Sequence, residues 1–253
     1  MPLQRWTQEP LMHIAIYLTN NDTAAFAKAY PNDGEKVAEM MRVQRPNWRY
    51  TVVRCIDGEF PTSFSDIDGV IITGSPASIN DDNLPWVAGL LASIRRIHDE
   101  HIPLIGICFG HQAIARALGG EVRRADTWGM GRGHTHWHQP QPWMTPMQSD
   151  MTLMAAHQEQ VTRLPDGATT IGGSSHCPIG SMLIGETIWT TQFHPEMSQV
   201  FMDDLLGFLE SVDYLPADVI AKARADRDQP NDAHLFSQWM AQFFERAASA
   251  HHD

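Results

Sequence analysis

The stretch PLIGICFGHQAIARALGG, residues 103–120, decides the architecture. PLIGI is an unbroken apolar run, the pattern of a strand buried on both faces. Phe109, Ala113, Ala117 and Leu118 then follow at helical spacing, and Gly119 and Gly120 close the helix. At the junction stands Cys108, inside Gly106-Ile-Cys108-Phe-Gly110. A G-x-C-x-G segment between a strand and a helix has the form of a nucleophile elbow. Its sharp turn forces the central residue into a strained backbone, and the flanking glycines remove Cβ atoms that would clash. The cysteine then sits above the carboxyl ends of the strands, where open α/β sheets place ligands. There the N-terminus of the helix favours a thiolate, and the backbone N–H of Phe109 is aimed at the same space.

Upstream, HIAIYL (13–18), YTVVRCI (50–56) and GVIITG (69–74) read as strands, with Cys55 inside the second of them. Residues 23–44 have helical spacing broken by a PNDG turn at 31–34, and PWVAGLLASIRRIHDE (85–100) begins a helix on proline. Strand alternating with helix predicts right-handed crossovers and a parallel sheet. From 121 to 193 the pattern changes to short strands and turns (EVRRA, GRGHTHWH, MTLMAA, TTIGG, SMLIG, TIWTTQF), predicted as antiparallel additions to one sheet edge. Residues 197–248 are helical in pattern, with breaks near Leu215–Pro216 and Gln229–Pro230. The aromatic stripe of Phe236, Trp239, Phe243 and Phe244 reads as core packing. Residues 1–12 are polar and carry two prolines, and read as an extension.

Composition narrows the chemistry. At 253 residues and 43% hydrophobic, the chain can bury a full core without disulfides. Three cysteines without paired spacing (Cys55, Cys108, Cys177) point to a reducing compartment. With no secretory leader pattern and no apolar run of ~18 residues, the expectation is a cytoplasmic protein with no membrane partner. Eighteen Lys and Arg against thirty Asp and Glu give a net charge of −12. No basic cluster is present to hold a phosphate backbone, so nucleic acid is not an expected partner. His134, His136 and His138 alternate on a predicted strand, but no carboxylate or cysteine adjoins them in sequence and no metal is expected.

A cysteine nucleophile needs a base, and the base an orienting group. Gln192-Phe-His194-Pro-Glu196, after the strand TIWTTQF, supplies both within one turn. GICFGHQ at 106–112 followed by QFHPE at 192–196 resembles the class I, triad-type glutamine amidotransferases, and the likeness extends over residues 13–210. The resemblance implies a flavodoxin-like α/β fold: a mostly parallel sheet flanked by helices, with added antiparallel strands. It implies Cys108 as nucleophile, His194 as base and acid, and Glu196 as orienter, with a γ-glutamyl thioester as intermediate and no cofactor.

Further segments are similar to the family's. Gly74-Ser-Pro-Ala-Ser78 looks like its oxyanion glycine loop, with Ser75 where a second glycine is common. Gln112 matches a glutamine that holds the substrate's amino-acid end. Ala156-His-Gln158-Glu-Gln-Val161 resembles the segment that meets the substrate α-amino and carboxylate groups. The implied binding residues are Gly74, Ser75, Phe109, Gln112 and Gln158. The division expected is a catalytic domain over 13–212 and a helical extension over 213–253 packed on it. No S-G-G-x-D-S or G-x-x-x-x-G-K segment is present, so an ammonia-accepting synthetase would be a separate subunit. A stand-alone γ-glutamyl hydrolase or peptidase, and a non-catalytic binding protein of the same fold, are the alternatives.

Overall fold

The computed structural model describes residues 11–250; the first ten residues of the predicted extension lie outside them. The nine strands of the described residues form one sheet. They are β1 (His13–Tyr17), β2 (Arg49–Val53), β3 (Gly69–Ile72), β4 (Leu104–Ile107), β5 (Glu121–Trp137), β6 (Asp150–Arg163), β7 (Ala168–Gly173), β8 (Ser181–Ile184) and β9 (Ile188–Thr191). The helices are α1 (Asp33–Gln44), α2 (Pro85–Asp99), α3 (Phe109–Ala117), α4 (Gln199–Ser211), α5 (Ala217–Ala225) and α6 (Ala233–Ala250). Strand order is β2-β1-β3-β4-β9-β8-β7-β5-β6. The five strands from β2 to β9 are parallel, and the pairs from β9 through β6 are antiparallel. The fold is flavodoxin-like α/β, as expected.

Two apolar layers cover the sheet. On one face α2 and α3 pack Leu90, Ile94, Ile97 and Ile114 against Val70, Ile72 and Leu104. On the other, α1 and α6 bury Val37, Met41, Phe236, Trp239, Phe243 and Phe244 against Ile14, Ile16 and Trp189. The predicted aromatic stripe is therefore core: Phe236 stands 4.9 Å from Trp189, centroid to centroid, and Phe243 stands 5.2 Å from Trp143.

Several local expectations are corrected. PNDG does not interrupt a helix; it starts one. Asn32 caps α1 in a reciprocal capping box with Glu35, and before it only a short 3-10 turn forms at Ala27–Ala29. Cys55 lies in a 3-10 turn just beyond β2, buried all the same. EVRRA and GRGHTHWH are not separate strands. A register irregularity between Arg124 and Gly129 absorbs the intervening residues, and β5 runs on for 17 residues beside β6. TIWTTQF gives β9, which is parallel to β4 and antiparallel only to β8. His134, His136 and His138 each take their own partner: Thr152 Oγ1 at 3.0 Å, Asp150 Oδ1 at 2.9 Å and the Thr170 carbonyl at 3.2 Å.

Candidate active site

Cys108 follows β4 directly and caps α3 with φ 49° and ψ −101°. For a residue with a Cβ this backbone is strained by roughly 1–3 kcal/mol. The surroundings enforce it. The Cys108 N–H donates to the Thr191 carbonyl of β9 at 2.8 Å, and the Gly110 N–H donates to the Thr73 carbonyl at 3.2 Å. A Cβ on Gly106 would meet the Gly110 carbonyl at 2.7 Å, and one on Gly110 would meet the Ile72 carbonyl oxygen at 2.5 Å. Both flanking glycines are thus required by close backbone approach, as the elbow reading expects.

His194 lies just past β9, held by its own N–H donating to the Met154 carbonyl of β6 at 2.8 Å. Its Nδ1 lies 2.7 Å from Glu196 Oε1, and both side chains are buried. A carboxylate only accepts, so Nδ1 carries the proton and Nε2 is left as the acceptor of the neutral ring. That Nε2 is buried without a hydrogen bond. Burial disfavours the imidazolium, yet the charges of Cys108 and Glu196 outweigh it and hold the His194 pKa well above its ordinary value.

The glycine loop closes over this pair. A Cβ at Gly74 would stand 2.7 Å from His194 Cε1 and 3.7 Å from Cys108 Cβ. The Gly74 carbonyl accepts from Thr19 Oγ1 at 3.1 Å and Thr73 Oγ1 at 3.2 Å. In a trans peptide the following N–H, that of Ser75, points the opposite way. Ser78 at the far end of the loop donates to both oxygens of Glu159 on β6, at 2.7 and 2.9 Å.

Cys108, His194, Ser75, Gln112, Gln158 and Glu159 line one cavity of about 820 Å³. Phe109 does not: its ring is fully buried and packs on Trp86, leaving its backbone as the part near the site. The Gln112 amide donates to the Glu159 carbonyl at 2.8 Å and lies 3.3 Å from Gln192 Oε1. Gln158 accepts from Arg124 Nε at 2.6 Å.

Two further residues stand out, neither of them assigned a role from sequence, and only their place beside the motifs could have flagged them. Gln192 donates to Cys108 Sγ at 3.5 Å. His157 lines the cavity with both ring nitrogens buried and unpartnered, and burial, aided by His176, His194 and His111, pushes its pKa down to about 3. His111 is buried too, with Nδ1 2.6 Å from Thr190 Oγ1. Burial raises the other two thiols, Cys55 and Cys177, the latter to about 12. Among the described residues no group of three or more His, Cys, Asp or Glu is placed to hold a metal ion, and no helix is long and apolar enough to cross a membrane.

The family model for glutamine amidotransferase class-I matches residues 38–210. A GMP synthase [glutamine-hydrolyzing] of Porphyromonas gingivalis is 34% identical over 141 residues, 55% of this chain, and the chain spans only 27% of its length. Gamma-glutamyl peptidase 5 of Arabidopsis thaliana is 26% identical over 83% of this chain and 86% of its own. Among solved structures, a glutamine amidotransferase from Thermotoga maritima shares the fold, with a TM-score of 0.71 at 17% identity over 94% of this chain and 99% of that one. Family and relatives together support a hydrolase.

Proposed function

The chain belongs to the class-I glutamine amidotransferase family, and from that premise we propose that it cleaves the γ-amide of glutamine or of a related γ-glutamyl compound with a Cys108–His194–Glu196 triad. The observation that carries this is the convergence of a strained elbow cysteine and a Glu196-bound imidazole on one cavity. Cys108 Sγ attacks the γ-carbonyl while His194 takes the thiol proton. The backbone N–H groups of Phe109 and of the Gly74–Ser75 loop receive the oxyanion. His194 passes the proton to the departing nitrogen, ammonia or an amine leaves, and a γ-glutamyl thioester remains. Water, deprotonated by His194, then releases glutamate and restores the thiol. Glu196 fixes the tautomer and supports the imidazolium throughout.

Ser75, Gln112, Gln158 and the β6 segment around Glu159 form the polar wall that receives the substrate's amino and carboxylate groups. The helices from residue 213 onward form an extension whose last member completes the core under β9. The reading is tested by incubating the purified chain with glutamine and with γ-glutamyl amides, following ammonia or free amine. A glutamine-like electrophile is expected to label Cys108; labelling of Cys55 or Cys177 instead would refute the assignment.

A second reading, delivery of ammonia to a separate synthetase subunit, is favoured by the GMP synthase relatives. Co-purification of such a subunit, with glutaminase activity rising on its addition, would support it. The absence of paired cysteines among three buried free thiols fits a cytoplasmic location, and the net charge of −12 fits small-molecule rather than nucleic-acid partners.

A further inference from the structure

The cavity is larger and more apolar than glutamine calls for. At about 820 Å³ it falls in the upper part of the range, roughly 300–1,000 Å³, that holds drug-sized ligands. Beyond the polar wall it continues into an arm walled by Phe26, Tyr30, Trp128, Phe201, Phe208 and Tyr214. Three separate segments bring these rings together. Phe26 stacks on Phe208 at 5.5 Å and 9°, Tyr30 meets Phe201 edge-on at 5.0 Å, and Trp128 meets Tyr214 at 5.7 Å. Tyr214 is 59% exposed and the neighbouring Val212 is 53% exposed. Apolar surface left half-open beside a reactive cysteine marks a binding surface rather than core.

Apart from Lys28, the charges along the arm are already engaged. Lys36 pairs with Asp33 at 2.9 Å and lies 3.7 Å from the Phe201 ring centroid, and the Tyr30 hydroxyl donates to Asp204. Glu35 accepts from the Asn32 N–H, and Asp22 from the Ala24 N–H. Lys28 stands exposed at the rim. An amide carbonyl at Cys108 has a zwitterionic glutamyl head on one side and the nitrogen substituent on the other. The head would lose its hydration in the aromatic arm without recovering hydrogen bonds, so it belongs against Gln112, Gln158 and Glu159.

We propose that the aromatic arm is the leaving-group subsite, and that its substrate class is γ-glutamyl conjugates of amines carrying an aromatic or similarly bulky apolar substituent. This rests on the reading of Cys108 as the nucleophile of γ-glutamyl cleavage. In the step itself the Sγ–carbon bond forms, the carbon–nitrogen bond of the conjugate breaks, and the proton carried by His194 leaves with the neutral amine. Water then cleaves the thioester.

The test compares γ-glutamyl benzylamide with γ-glutamyl methylamide, using the full chain; benzylamine is the weaker base, a difference that cancels when the ratio of the two rates is compared between wild type and variant. The benzylamide is expected to have a kcat/KM higher by about tenfold or more, the discrimination an apolar pocket gives. Phe208→Ser, which empties the arm, and Leu209→Trp, which fills it, should each lower the benzylamide-to-methylamide ratio. That ratio is taken within one sample and is insensitive to the fraction folded. Equal rates for the two amides, or a ratio that neither variant moves, would overturn the subsite while leaving Cys108 labelling and methylamide cleavage intact. Failure of the electrophile to label Cys108, with no amide cleaved, would instead remove the underlying reading and the subsite with it.

Discussion

On the parallel side of the sheet, β4 stops at Ile107 and β9 at Thr191, and the proposed catalytic residues Cys108 and His194 follow within three positions. On the antiparallel side, β5 and β6 run past the same cavity, and Trp128, His157 and Glu159 face it from mid-strand. One side contributes strand ends, where the backbone turns sharply and a single side chain is aimed. The other contributes strand interiors, whose residues, among them the consecutive Ala156 to Glu159, make a wall. Chemistry on the first side and recognition on the second is the division this arrangement implies, and variants on the two sides should separate kcat from KM.

The largest effect belongs to the elbow. Cys108→Ala should lower kcat by ~10⁴-fold or more, measured as amine or ammonia release. A triad that retained activity without its thiol would end the comparison at once. Next, Glu196→Gln should cost ~10³–10⁴ in kcat with the geometry kept. It also carries a pH signature. His194 has a folded pKa raised well above its ordinary value, so its bound proton stabilises the fold fully below about 6.5. That contribution is lost as pH rises through the folded pKa. The melting-temperature gap between wild type and Glu196→Gln should therefore narrow across the alkaline window.

Gly74→Ala tests the seam where the sides meet. A Cβ 2.7 Å from His194 Cε1 must displace the ring, and a shift near ~1 Å should lower kcat by ~10²-fold. On the wall, Glu159→Gln weakens the tie to Ser78 and should raise KM by about tenfold while changing kcat less. If its effect falls wholly on kcat, the wall is part of the chemistry. The smallest effect is thermodynamic. Cys108→Gly should abolish turnover yet raise stability by about 1 kcal/mol in denaturant titration, because glycine adopts φ 49° without strain.

The same division explains what is legible in the sequence. Strand ends announce themselves: PLIGI into CFGHQ and TIWTTQF into HPE are local changes of pattern, and they locate Cys108, His194 and Glu196 without any knowledge of strand pairing. Gly106 and Gly110 follow from the same turn. Strand interiors depend on partners far away in sequence. Residues 121–137 look broken because Arg124 to Gly129 follows no strand pattern, and only pairing with β6 shows one continuous strand. Gln192 belongs to the QFHPE motif, but its contact with Cys108 Sγ needs the elbow in three dimensions. The aromatic arm joins residues 26, 128, 201, 208 and 214, and no window of sequence contains it.

The strained elbow bears on more than catalysis. The Cys108 conformation persists because Thr73 and Thr191, on segments that the chain supplies before and long after the cysteine, hold its peptide neighbours in place. A chain emerging from the ribosome has not yet made β9 when residue 108 appears. Until that strand inserts beside β4, Cys108 has neither its enforced backbone nor His194, its proposed base, beside it. On the proposed assignment, the triad is assembled last, together with the completed sheet, so synthesis intermediates and locally opened chains would lack it.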